Sequence, residues 1–155
     1  MKILEYNLHA FSLGTMNQSK KIIETRRRFQ RVIFSREDGI IGLIQSSLQN
    51  QRQPAAASIL NLSASGLQFT AGKEDAGNYK KGDRLIFKGI KGVKDLDFQE
   101  DIEMEVVWVL ELKFLENIGI GCEFLNISKA LTDHINDFVM SEVRFRGQNI
   151  YRNTV

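Results

Sequence analysis

The chain has 155 residues, 43% of them hydrophobic and 26% charged, with a net charge of +2; this is the composition of one soluble domain long enough to bury its own core. A single cysteine, Cys122, excludes an internal disulfide and fits a reducing cytoplasm, and no run approaches the roughly 20 apolar residues of a membrane helix. Residues 1–36 hold eight Lys/Arg against two acidic residues, and residues 37–155 hold thirteen against seventeen, so a basic arm precedes a mildly acidic body, which excludes the evenly basic face of a general nucleic-acid binder.

Residues 1–23 read as a flexible N-terminal arm, in which Glu5, Asn7 and His9 interrupt any signal-peptide core. "RRRFQRVIFS" (26–35) then packs four arginines into six positions and turns apolar, as a strand would. Residues 46–58, with the only proline, Pro54, read as a polar loop. Beyond it, "ASILNL" and "LQFTA" are short strands joined by a "SASG" turn. Gly82–Asp83 turn the chain into a strand in which Leu85 and Phe87 alternate. In "DIEMEVVWVLELKF", Met104, Val106, Trp108, Leu110 and Leu112 are predicted to share one face; in "NIGIGCEFLNI", Ile118, Ile120, Cys122 and Phe124 do so. From Ser128, an N-cap residue, the period changes: Leu131, Ile135, Phe138, Val139 and Val143 predict an amphipathic helix over about 128–143. Residues 144–155 form a patternless tail. Alternating strands followed by one helix predict a mainly β domain, a small antiparallel barrel or sandwich covered by the helix.

No catalytic constellation is legible. Of the two histidines, His9 lies in the arm and His134 on the polar side of the helix; Cys122 reads as a buried core thiol. No cluster has metal-ligand spacing, and no glycine-rich phosphate loop occurs in the required context. Two stretches instead suggest binding. Arg27 and Arg31 stand four apart, flanked by Arg26 and Arg28, and guanidinium forks match phosphates and the O6/N7 edge of guanine. In "NLSASG" (61–66), Asn61 and Ser63 point to the same side of an extended segment, and Gly66 permits a positive φ or a close backbone approach. Taken singly, the first is an ordinary solvated charge run and the second an ordinary turn.

Together, "RRFQR" at 27–31 and "NLSASG" at 61–66 resemble the RxxxR and [D/N]xSxxG patterns of PilZ domains, and "KKGDRLIF", "EVVWVL", "GIGCEFLNIS" and a closing helix follow in that family's order. The resemblance covers roughly residues 24–142. It implies a six-stranded antiparallel β-barrel with a C-terminal helix, acting without enzymatic activity or cofactor as a bacterial, cytoplasmic receptor for cyclic di-GMP. By motif position, Arg27 and Arg31 would contact guanine and phosphate, with Arg26 and Arg28 assisting. Asn61 would bond a guanine edge, Ser63 a phosphate or guanine, and Gly66 would leave room at the turn. Trp108 would border the pocket, unless it serves the core. Ordering of the arm around the ligand would relay the signal to a downstream protein, with neither nucleic acid nor membrane insertion involved. The competing expectations are a basic-armed barrel that binds nucleic acid and a protein–protein adaptor with vestigial ligand motifs.

Overall fold

The computed structural model describes residues 28–47, 53–91, 96, 100–111 and 114–148. Among these, seven strands precede one helix: β1 (Arg31–Ile33), β2 (Ile41–Ser46), β3 (Ala55–Ser63), β4 (Gly66–Gly72), β5 (Arg84–Lys91), β6 (Ile102–Leu110), β7 (Asn117–Phe124) and α1 (Lys129–Phe145), with short 3-10 turns at Arg36–Asp38 and Lys73–Asn78. All pairings are antiparallel. The order β3-β2-β5-β6-β7-β4 returns to β3 through the β3–β4 ladder, which closes six strands into a barrel. Closure leaves no open edge in this ring.

β1 is the seventh strand, and it follows from a break in the chain. β2 pairs with Ala55–Ser58 of β3, whereas β1 pairs with Asn61–Ser63 on the same edge. The two are one interrupted strand, parted by the turn at Arg36–Asp38, where the Asp38 carboxylate accepts the Ser35 N–H at 2.6 Å. The expected polar loop over 46–58 is corrected at both ends: Ser46 closes β2, and Ala55–Ser58 open β3. Three consecutive alanines give no alternation to read; their pairing with β2 decides their state.

The barrel is filled by inward-alternating residues, among them Leu62, Leu67, Phe69, Phe87, Met104, Ile118 and Ile120, each essentially excluded from solvent. Each contributes roughly 1.5–3 kcal/mol by burial. α1 starts where its cap predicts, the Ser128 Oγ accepting the Leu131 N–H at 3.2 Å. Its stripe of Ile135, Phe138, Val139 and Val143 is buried, and the helix packs on β1 and β3.

Residues 144–148, expected as tail, instead finish and anchor the helix. Gly147 adopts φ 62°, its N–H bonds the Arg144 carbonyl at 3.2 Å, and the Gln148 N–H bonds Val143 at 2.9 Å. This crossed pair of bonds is a Schellman stop, which favours glycine at that position. It aims two side chains at β1 and the turn behind it. The Arg146 guanidinium lies 5.0 Å over the Phe34 ring and reaches Asp38 at 2.9 Å. The Gln148 amide accepts the Ile33 N–H at 2.9 Å and donates to the Ile33 carbonyl at 2.7 Å, so a side chain stands in for a strand beyond β1. The expected arm over 1–23 and the last seven residues, 149–155, lie outside the described residues.

Candidate functional site

The Ala64–Ser65 connection joins β3 to β4, and residues equidistant from it pair: Ser63 with Gly66, Leu62 with Leu67, Asn61 with Gln68. Leu62 and Leu67 face the core, so Asn61, Ser63, Gly66 and Gln68 face outward. A bulge at Leu60 sets this phase apart from the rest of β3, where Ile59 opposite Phe69 faces in. Along the other edge, β1 places Arg31 opposite Ser63 and Ile33 opposite Asn61. Residues directly opposite hold their Cβ atoms roughly 4.5–5.5 Å apart. The sequence-predicted Arg31, Asn61, Ser63 and Gly66 therefore share one patch, brought together from three strands. Arg28 is exposed just before β1, and Arg26 and Arg27 lie outside the described residues.

Two outward rows cross the barrel through this patch. One runs Arg31–Ser63–Gly66–Glu123–Glu105, the other Ile33–Asn61–Gln68–Gly121–Trp108. In the first, two carboxylates stand side by side beyond Gly66, Glu105 lying 3.9 Å from Arg84. The Arg31 end of the row is therefore the end that suits an anion, and the carboxylates lie at the far end beside Arg84.

Ser63 and Asn61 face outward yet are only 2% and 8% exposed. The Ser63 Oγ accepts the Ser65 N–H at 3.2 Å, lies 3.0 Å from the Ser65 hydroxyl and donates to the Gly66 carbonyl at 3.4 Å. This serine-turn pattern stiffens the hairpin. The Asn61 Nδ2 donates to the Gln68 Oε1 at 2.6 Å. Its other amide atom, Oδ1, is buried with no partner among the described residues. A buried acceptor without a donor costs roughly 1–3 kcal/mol. The sequence singled out Asn61 but not its partner Gln68; counting outward from the two-residue turn would have found it.

Gly66 serves a close approach, not a left-handed turn. Its φ is not positive, and a Cβ there would overlap the Cys122 carbonyl oxygen and stand 3.1 Å from that carbonyl carbon and 3.2 Å from the Glu123 Cα. The Ser65 carbonyl accepts the Phe124 N–H at 2.8 Å, so the turn is pressed against β7 where Gly66 lies.

Trp108 corrects the predicted alternation. A bulge at Val107 shifts β6 by one residue after Val106, so that Val109 stands opposite Ile120 on the inner face and Trp108 stands opposite Gly121. The indole therefore lies outside the barrel, half-buried, across Gly121, where a Cβ would collide with its ring. Trp108 closes the second row as an apolar wall and does not belong to the core.

Cys122 is buried, and burial pushes its thiol up to about 12, which makes it inert near neutrality. His134 is exposed on α1. Among the described residues no three His, Cys, Asp or Glu side chains are grouped as a metal would require. None of the described helices is long and apolar enough to cross a membrane. A separate open cleft of about 420 Å³ lies toward the other end of β3, lined by Arg36, Ser58, Thr70, Asp75, Tyr79 and Asn117 among others; none of the sequence-predicted site residues that are described borders it.

A family model described as the PilZ domain matches residues 25–141. No curated protein matches the chain. Among solved structures, the PilZ domain of YcgR from Escherichia coli with c-di-GMP superposes with a TM-score of 0.61 at 15% identity, covering 78% of this chain and 94% of that one. The inhibitor of motility MotI/DgrA of Bacillus subtilis gives 0.55 at 16% identity, over 80% of this chain and 53% of that one. The MrkH–c-di-GMP complex of K. pneumonia gives 0.55 at 14% identity, over 79% and 54%. The chain thus spans about half the length of the last two. At these identities the likeness establishes the barrel-and-helix fold.

Proposed function

The chain belongs to the PilZ domain family, and we propose that it is a non-enzymatic receptor for cyclic di-GMP, bound on the outward face of β1, β3 and β4. The observation that carries this reading is the buried Oδ1 of Asn61, without a partner among the described residues and set one row from Ser63 and Arg31. Cyclic di-GMP offers two guanines and two phosphates, and a guanine edge supplies the N–H donors that this oxygen lacks. Arg31 takes a phosphate, and the Ser63 hydroxyl joins it by turning its proton from the long 3.4 Å bond to the Gly66 carbonyl toward the ligand. Arg27, with Arg26 and Arg28 beside it, reaches from the basic segment to the second phosphate or to guanine O6/N7. Gly66 keeps the turn close against β7, and Trp108 borders the ligand at the far end of the second row. YcgR and MrkH, two of the proteins that share this fold, were solved with c-di-GMP.

Each bidentate arginine contact contributes roughly 1–3 kcal/mol by analogy with base recognition, against the ~8 kcal/mol of a micromolar complex. Two such contacts and a satisfied Asn61 reach that range. Ordering the arginine segment over the ligand converts occupancy into a shape change, which a downstream protein reads. Calorimetric titration with cyclic di-GMP tests the proposal: the wild type binds with saturation, and Arg27→Ala/Arg31→Ala loses at least a hundredfold while its thermal unfolding is unchanged. Undiminished binding by the double variant overturns the assignment of the arginines, and no binding by the wild type overturns the receptor reading.

A further inference from the structure

We propose that the open cleft beside Arg36 is a second binding site, which takes the carboxyl-terminal segment of a partner polypeptide as an added β-strand. Its shape comes from how the barrel seam ends. The β3–β4 ladder runs from Ser63–Gly66 to Ser58–Thr70. Past that last pair the tails of the two strands leave the ring: Ala55–Ala57 stay with β2, whereas Ala71 and Gly72 stay with β7. The cleft of about 420 Å³ fills the gap, lined by Ala55, Ala56 and Ala57 on one flank and by Ala71 and Gly72 on the other. Its size is that of a small-ligand site.

What the gap exposes is main chain. The Ile59 N–H bonds the Ile40 carbonyl at 3.0 Å, so Ala57 and Ala55, which alternate with Ile59, also turn their N–H and C=O groups toward β2. Ala56 turns both of its groups the other way, into the gap, where among the described residues no strand pairs with it. Alanine side chains are too short to cover that edge, and Ala55 and Ala56 are exposed. A bare strand edge of this kind is a template for an extended peptide.

The cleft is blind at one end, which selects a chain terminus. A strand entering the gap meets the Ser58–Thr70 pair and cannot pass between β3 and β4. Donors gather at that end. Ile59 and Phe69 point into the core, so Ser58 and Thr70 stand on the outer face, directly opposite one another. Arg36 belongs to the turn between Phe34, bonded to Leu60, and Ile40, bonded to Ile59. That turn holds it level with the closed seam, and its side chain lines the cleft. Arg36 is exposed, and among the described residues no carboxylate lies within ion-pair reach of it. Two hydroxyls and a guanidinium at a blind end fit a carboxylate. Asp75 stands where the cleft continues into a hollow of about 270 Å³, sharing Ile44, Ala55, Asp75 and Tyr79 with it. Its charge repels a carboxylate there and favours a cation, so the peptide enters tail first with a basic residue behind.

The probe is an acetylated pentapeptide, lysine followed by alternating threonine and valine, made with a free carboxyl terminus and as its carboxamide. Amide resonances of the isotope-labelled chain are followed through a titration with each. The free acid shifts Ala56, Ser58, Thr70 and Tyr79 with a Kd of about 1 mM or lower. The carboxamide binds at least tenfold more weakly, a difference of about 1.4 kcal/mol. Arg36→Gln lowers the free acid to the affinity of the carboxamide and leaves the carboxamide unchanged, a pattern that misfolding cannot produce. Methylating the peptide nitrogens of the free acid removes its main-chain donors and abolishes the shifts. Equal affinity of acid and carboxamide, shifts outside the cleft, or no shifts from either form overturns the site; undiminished binding by the methylated peptide overturns the strand addition. Arg36→Gln binds cyclic di-GMP as the wild type does, so this site and the receptor reading stand or fall separately.

Discussion

Replacing Gly66 by alanine forces β4 away from β7. The new methyl would overlap the Cys122 carbonyl oxygen, with the carbonyl carbon at 3.1 Å and the Glu123 Cα at 3.2 Å. All three atoms belong to backbone, so no rotamer change relieves the clash, and the strands must part by about 1 Å to restore ordinary contact distance. That parting strains the 2.8 Å bond from the Phe124 N–H to the Ser65 carbonyl and the ladder beside it. Losing that bond costs about 1 kcal/mol, and overpacking strain adds roughly 1–3 kcal/mol. The sum, about 2–4 kcal/mol, remains below the stability of an ordinary domain, so the variant folds. At roughly 2–4 °C per kcal/mol for a chain of this size, its Tm falls by about 4–16 °C in a circular-dichroism melt. Gly119→Ala is the control: its methyl would lie 3.4 Å from the edge of the Trp108 ring, an ordinary contact, and its Tm stays close to wild type. A Gly66→Ala melt within about 2 °C of wild type would refute the close-approach argument.

Two further predictions concern the anchor behind the site. Gln148→Leu removes both amide bonds to Ile33, worth roughly 1 kcal/mol together where water competes; hydrogen exchange at the Ile33 amide accelerates while the amides of β7 keep their protection. Asp38 is held below its ordinary value of 3.8, first by its bond to Arg146 and then by the Ser35 N–H. A depressed carboxylate adds stability that is present above the unfolded value and is lost as pH falls through the lower folded one. The contribution is therefore flat from neutrality to about pH 4 and disappears below it, and Asp38→Asn flattens the acid limb of a Tm–pH profile; an unchanged limb would remove Asp38 from the acid response.

Much of this was legible in the residues because the signals were local. Ile118, Ile120, Cys122 and Phe124 alternate into the core as their pattern requires, and Ser128 caps the helix it was expected to cap. What escaped was set by pairing. Ala55–Ala57 have neutral side chains for a strand, and only β2 beside them makes them one. Trp108 was read in phase with Met104 and Val106, yet a single inserted residue, Val107, turned it to the opposite face; nothing in "EVVWVL" announces the bulge. Gln148 looked like part of a loose tail because its role is to complete a strand 115 residues away. The motif residues were legible as chemistry, and the fold supplied what the spacing could not: Arg31 beside Ser63, and Gln68 beside Asn61.

The most direct test of the central claim is a map of where cyclic di-GMP touches the chain. Backbone and side-chain amide resonances of the isotope-labelled 155-residue chain are followed through a titration with the dinucleotide. The account predicts shifts along the two outward rows: Arg31, Ser63 and Gly66 in one, Asn61, Gln68 and the Trp108 indole N–H in the other. The cleft lined by Arg36, Asp75 and Tyr79 stays unperturbed. Shifts confined to that cleft, with the Asn61 and Gln68 side-chain amides unmoved, would contradict it.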